Sequence, residues 1–157
     1  MRKRVVGLVT KDSPLPDQEW LDLERSAQVE VTSEDPTHPI ESALLAGTES
    51  GWQAAQPGPQ TIRLIFDRPQ KLRRIWLLFI EPDVARTQEF VLFWSPDDER
   101  SLKEIYRQQW NFSPPGAIRE VEDYQVELSG VNQLELTIVP DQLGGDARAS
   151  LARWRLA

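Results

Sequence analysis

Clusters of Pro, Gly, Ser and Asp cut this chain into short segments, and that punctuation limits its fold more than any other feature. Turn-forming clusters stand at Gln56-Pro57-Gly58-Pro59, Ser95-Pro96-Asp97-Asp98, Pro114-Pro115-Gly116, Ser129-Gly130 and Gly144-Gly145. Between them no stretch carries a convincing long helical period. Val29 and Val31 alternate with Glu30 and Thr32, and Ile62, Leu64 and Phe66 share one face of Thr61–Asp67. Leu72–Glu81 is nearly all apolar, as a central strand covered on both faces requires. Glu89–Ser95, Lys103–Phe112, Asp123–Leu128, Gln133–Val139 and Ala149–Leu156 complete a set of about eight strands. The predicted fold is all-β, an antiparallel β-sandwich or jelly roll. No internal repeat or low-complexity segment interrupts it.

The 157 residues suit one domain. Residues 1–26 read as an N-terminal extension packed on a sandwich of residues 27–157. Val5–Val9 suits a short strand, Lys11–Asp17 a loop, and Asp17–Ser26 one or two helical turns with Asp17 as N-cap. Arg2-Lys3-Arg4 followed by apolar residues mimics a secretory leader, but the apolar run ends at Thr10, short of the roughly 7–15 residues such a leader needs. The run Ile75–Ile80 is far below the roughly 20 residues of a membrane helix. A cytoplasmic protein with no membrane partner is expected.

Composition narrows the chemistry. Absence of Cys excludes disulfides, thiolate metal sites and cysteine nucleophiles. A single His, His38, excludes two-His metal sites and leaves a Ser–His triad only one base. The net charge is −7, and three of the 18 basic residues sit at Arg2, Lys3 and Arg4, so the remainder sets 15 basic against 25 acidic groups. That field opposes a phosphate backbone, and no nucleic-acid partner is expected. Arg outnumbers Lys fourteen to four, and there are six Trp. Planar guanidinium and indole groups favour stacking and paired hydrogen bonds.

The order of the segments resembles the discoidin-like, galactose-binding-like jelly roll of the coagulation factor V and VIII C-type domains and of several carbohydrate-binding modules. The resemblance runs over about residues 27–157. It rests on Val29-Glu30-Val31-Thr32-Ser33-Glu34, on Ala43-Leu44-Leu45 through Gly51-Trp52, and on Gln60 through Asp67-Arg68-Pro69. Phe90-Val91-Leu92-Phe93-Trp94-Ser95-Pro96-Asp97 and the closing pair Leu134–Pro140 and Ala149–Leu156 complete it. The resemblance implies binding loops gathered at one end, which in relatives take sugars, lipid head groups or proteins. It also implies a disulfide in extracellular members, which this chain cannot form. The Asp-Gly pair that can help bind structural calcium in many members is replaced by Leu45-Ala46-Gly47-Thr48. Glu49 alone falls short of the six to eight oxygens calcium takes, so no cofactor is expected.

The most unusual segment is Tyr106-Arg107-Gln108-Gln109-Trp110-Asn111-Phe112. On a strand, Arg107, Gln109 and Asn111 share one face, and Tyr106, Gln108, Trp110 and Phe112 share the other. Amide and guanidinium groups beside a ring suit a sugar or peptide site. The same row reads equally as internal structure, with the aromatics in the core. Arg86, Gln88 and Glu89 either flank that site or form an internal ion pair. His38, in a loop stiffened by Pro36 and Pro39, reads as a ligand donor or a solvent-facing residue. Trp52 and Trp110 are the indoles best suited to stack on a ligand. Glu34, Asp35, Glu89, Glu120 and Glu122 are carboxylates that glycoside hydrolysis needs in pairs, but no hydrolase motif accompanies them. The clusters Asp97-Asp98-Glu99 and Glu120–Asp123 read as solvated turns. Gly144-Gly145-Asp146 lacks the Lys-Ser/Thr of a phosphate loop.

The expectation is a non-catalytic binding module for carbohydrate or a similar polar ligand. The alternative is an intracellular protein-interaction or self-association domain, since Trp, Tyr and Arg also anchor protein interfaces and homo-oligomers.

Overall fold

A computed structural model describes residue 16 and residues 18–47, 50–96 and 101–157. Residues 1–15, 17, 48–49 and 97–100 lie outside the described set, and with them the Val5–Val9 strand, the Asp17 cap, Glu49 and the Asp97–Glu99 cluster. The elements are β1 (Ala27–Val31), β2 (Trp52–Gln53), β3 (Gln60–Ile80), β4 (Arg86–Pro96), β5 (Lys103–Phe112), β6 (Arg119–Val139), β7 (Ser150–Leu151) and β8 (Arg153–Leu156). Two single helical turns accompany them, α1 (Leu23–Ser26) and α2 (Glu41–Leu44). Asp22 precedes α1 without a side-chain cap bond.

All named strand pairings are antiparallel, and the molecule is the expected β-sandwich. The strand order is β1-β3-β6-β4-β5, with β8 also on β3 and a small β2–β7 ribbon beside them. Two strands are longer than their sequence suggests. Thr61–Asp67 and Leu72–Glu81 fuse into β3, and Asp123–Leu128 and Gln133–Val139 fuse into β6. Ser129-Gly130 is therefore not a hairpin turn. It sits at one β3–β6 register shift, between Gln70/Val131 and Leu72/Leu128, and Asp67-Arg68-Pro69 sits at the adjoining one, between Ile65/Gln133 and Gln70/Val131. Gly130 takes a φ of 67°, and Pro69 lacks an N–H, so both suit a bulge that bends a strand rather than one that ends it.

The bend carries both strands from one layer to the other. The starting half of β3 and the closing half of β6 lie with β1, β4 and β5. Their other halves lie with β8. The expected strand Ala149–Leu156 is split into β7 and β8, because Ala152 leaves the ladder to donate its N–H to Leu78 O at 2.9 Å.

The core fills the space between the layers. Ile62, Leu64, Phe66, Leu134, Leu136 and Ile138 face Ile75, Leu77, Phe79, Trp154 and Leu156. Phe79 stacks on Phe90 across the gap at 5.2 Å between centroids. Trp76 and Trp154 are buried, Trp94 is half-buried under Lys103, and Trp20 is half-buried with Arg74 5.7 Å from its ring. Residues preceding β1 lie against this body, since Leu21 donates to Leu156 O at 2.8 Å and Arg74 to Gln18 Oε1 at 3.1 Å. No described helix is long and apolar enough to cross a membrane.

Candidate functional site

Strands β1, β3, β4, β5 and β6 each begin or end at one pole of the sandwich, so the segments 32–40, 54–59, 81–85, 113–118 and 140–149 gather there. The β2–β7 ribbon builds a wall at this pole. Gly51, at φ 69°, brings β2 onto β7, and a Cβ added there would lie 2.9 Å from Leu151 O. Only Gly permits both that φ and that approach. Between this wall and the 81–85 loop lies an open cleft of about 370 Å³ whose lining includes His38, Trp52, Gln53, Glu81, Asp83 and Arg148.

The loop bearing His38 is held by backbone bonds. Asp35 donates to Gln53 O at 2.8 Å, Gln53 to His38 O at 3.2 Å, and His38 to Asp35 O at 2.8 Å. The Asp35 carboxylate accepts the backbone N–H and hydroxyl of Thr37, both at 2.9 Å. Those bonds, with smaller help from His38 and Arg148, hold its pKa below the ordinary carboxylate value. Trp52 is 1% exposed, and its Nε1 donates to Ser33 O at 3.1 Å. It forms the floor of the cleft and offers no open ring face. Arg148 is exposed at the rim. On the opposite side, Glu81 Oε2 accepts the N–H groups of Asp83 and Val84 at 3.2 and 3.4 Å and shapes the 81–85 loop.

The residues expected to form a single site fall into three places. His38 and Trp52 line the cleft. Glu89, Arg107, Gln109 and Asn111 lie on the outer, solvent-facing side of the β4–β5 ribbon. There Arg107 pairs with Glu89 at 2.6 Å and Glu104 at 2.9 Å, Thr87 donates to Asn111 Oδ1 at 2.7 Å, and Gln142 donates to Glu89 at 3.0 Å. Arg86, Gln88 and Trp110 point inward. Arg86 and Glu89 thus share a strand but not a site.

The inward group is a line of polar contacts through an apolar interior. Arg86 Nε donates to Glu81 Oε1 at 2.8 Å, and its Nη1 donates to Pro140 O at 2.7 Å and Gln88 Oε1 at 3.1 Å. Its guanidinium lies 4.7 Å from the Phe112 ring centroid. Gln88 Nε2 donates to Glu120 Oε1 at 3.0 Å. Glu120 is fully buried, so the Glu120–Asp123 cluster is no solvated turn. It opens β6, where Glu120 and Glu122 share the inner face with Tyr124, Val126 and Leu128. Burial and the neighbouring Glu122 push the Glu120 carboxyl up to about 9. Tyr124 is pushed above its ordinary value by burial and then by the two carboxyls, and it stacks on Tyr106 at 3.9 Å. Arg86 Nη2, Trp110 Nε1, Glu120 Oε2, Glu122 Oε2 and Tyr124 Oη lack partners.

Sequence reasoning passed over Arg148 and the loop residues Glu81 and Asp83, because loops carry no period. For Glu120 a signal existed: its even-numbered partners Tyr124, Val126 and Leu128 are apolar or aromatic, which marks an inward face.

No protein-family model matches the chain, and no curated protein sequence matches it. Solved structures do. A Clostridium perfringens module, CpGH89CBM32-5, in complex with GalNAc-β-1,3-galactose, is similar over 83% of this chain and 94% of its own, with a TM-score of 0.61 and 16% identity. The family 32 carbohydrate-binding module of AlyQ, in complex with 4,5-unsaturated mannuronic acid, is similar over 83% of this chain and 93% of its own (TM-score 0.60, 17% identity). A Ruminococcus gnavus fucosidase matches over 87% of this chain but only 26% of its own (TM-score 0.62, 11% identity). The chain therefore has the galactose-binding-like jelly-roll fold of these modules.

Proposed function

We propose that this protein is a non-catalytic carbohydrate-binding module that takes a sugar in the cleft at the loop pole. The observation that carries this reading is the cleft itself. Its volume of about 370 Å³ falls in the range of about 300–1,000 Å³ usual for small-molecule sites. Its lining sets cationic and imidazole donors, Arg148 and His38, against the carboxylate of Asp83. A sugar hydroxyl is donor and acceptor at once and suits such a mixed rim. The fold shared with carbohydrate-binding modules supports the same reading. The outer row on β4 and β5 is assigned no ligand, because its Arg and Glu groups already pair with one another.

Calorimetric titration with galactose and N-acetylgalactosamine, preceded by a glycan array, tests the proposal. Binding is expected at millimolar sugar or below, and Arg148→Ala should weaken it by about tenfold with no change in thermal midpoint. Absence of binding to every glycan, or equal binding by Arg148→Ala, would reject the cleft as the site.

A further inference from the structure

Among the described residues, a line of polar side chains, Glu81–Arg86–Gln88–Glu120–Glu122, runs through the interior. This line starts at the cleft wall and ends inside the sandwich, where Glu120 and Glu122 share the inner face of β6 and each carries a buried carboxyl oxygen with no partner but the other carboxyl beside it. Two carboxyls in contact away from water require a proton between them, because like charges at that range disfavour double ionisation. That proton also satisfies buried carboxyl oxygens which otherwise lack partners.

We propose that the line is a proton-controlled relay which sets the shape of the cleft wall. While Glu120 and Glu122 share a proton, Arg86 stays on Glu81. When the proton leaves to solvent, Arg86 is drawn toward Glu120, and the 81–85 loop is released. The proposal rests on reading the cleft as a ligand site and adds its regulation.

Three observations support the direction of the exchange. First, Arg86 has an unused donor, Nη2, and Glu120 Oε2 becomes an unused acceptor once the shared proton leaves, both buried. Gln88 links the two residues through their other atoms, accepting from Arg86 Nη1 and donating to Glu120 Oε1. Second, the Glu81 side chain is 17% exposed, whereas Glu120 is fully buried. Water can solvate a Glu81 carboxylate that loses Arg86, but it cannot reach an ionised Glu120, so the buried charge makes the stronger demand on the cation. Third, Glu81 holds the loop through Oε2 while Arg86 holds Glu81 through Oε1. Pro82 and Asp83 of that loop line the cleft. The charged and titratable groups facing the pair are Arg86 from β4, Tyr106 from β5, Tyr124 from β6 and, through Arg86, Glu81. Tyr124 is pushed above its ordinary range and keeps its proton while Glu120 titrates.

The test follows the carboxyl carbon resonances of Glu81 and Glu120 and the Nε–Hε resonance of Arg86 from about pH 6 to about pH 10.5. In the wild type all three should move with one alkaline midpoint. In Glu120→Gln, which keeps both tyrosines, Arg86 and Glu81 should stay fixed. Ionisation of Glu120 in the ordinary carboxylate range, or a fixed Arg86 resonance while Glu120 titrates, would overturn the relay. Galactose titration is the second arm: wild-type affinity should fall about fivefold across the midpoint and that of Glu120→Gln by less than about twofold. Equal loss in both proteins also overturns the relay. If galactose binds neither protein while the resonances move together, the relay stands and the cleft fails as a galactose site.

Discussion

The β4–β5 ribbon carries polar groups on both faces, and the two faces behave oppositely. Outside, Arg107, Glu89, Glu104, Thr87, Asn111 and Gln142 form a mesh in water. Inside, Arg86 and Gln88 reach Glu81 and Glu120 away from water. Residue types are nearly the same on the two faces, and hydration is what differs. An exposed ion pair exchanges one set of favourable contacts for another, so its net effect is small. A buried charge has no such exchange, and loss of one partner leaves the other stranded.

The sharpest way to break the comparison is to remove the inner cation. Arg86→Ala strands Glu81, Gln88 and Pro140 O, and its cost is expected at about 3–5 kcal/mol, a fall of on the order of 10 °C in thermal midpoint. A fall no larger than that of an outer-face variant would erase the distinction between the faces.

Glu120→Gln comes next, and its effect has a sign that depends on pH. The folded carboxyl sits near 9, against 4.5 as the ordinary value. Between those values the folded chain binds a proton that the unfolded chain does not. Stability from Glu120 is therefore full below 4.5, declines as pH rises toward 9, and is level above it. The wild-type midpoint should fall as pH rises across that window, while Glu120→Gln stays nearly level. Parallel curves for the two proteins would mean that Glu120 is ionised in the native state.

Gly51→Ala tests the wall rather than the ribbon. Its Cβ would meet Leu151 O at 2.9 Å at a φ of 69°, so a loss of about 1–3 kcal/mol is expected, with weakened sugar binding. Arg107→Ala, on the outer face, should move the midpoint by no more than about 1 °C and leave galactose binding unchanged. A sugar-binding defect there would move the site from the cleft to the sheet face.

Much of this was legible beforehand. The alternation of Arg107, Gln109 and Asn111 against Tyr106, Gln108, Trp110 and Phe112 assigns outer and inner faces correctly, because a strand's side-chain period is fixed at two. Strand ends were less legible. Ser129-Gly130 has turn residues, yet partners on β3 continue the ladder beyond it, and pairing decides whether a glycine ends a strand or bends it. The site was least legible. Arg86 and Glu89, three residues apart, belong to opposite faces, whereas Glu81 and Arg86 meet across a five-residue step through a loop. His38 and Arg148 are 110 positions apart in the chain, and only the antiparallel order of strands brings both to one pole.

The continuity of β3 and β6 has a consequence for how the molecule comes apart. Each of these 21-residue strands contributes to both layers, and they pair from Gln60/Ile138 to Ile80/Arg119. Neither layer can melt while the other keeps its hydrogen bonds in register. Amides on β3 and β6 should therefore exchange with solvent at rates set by one global opening, rather than layer by layer. Their pairing joins segments far apart in sequence, so that single unit is also expected to form slowly.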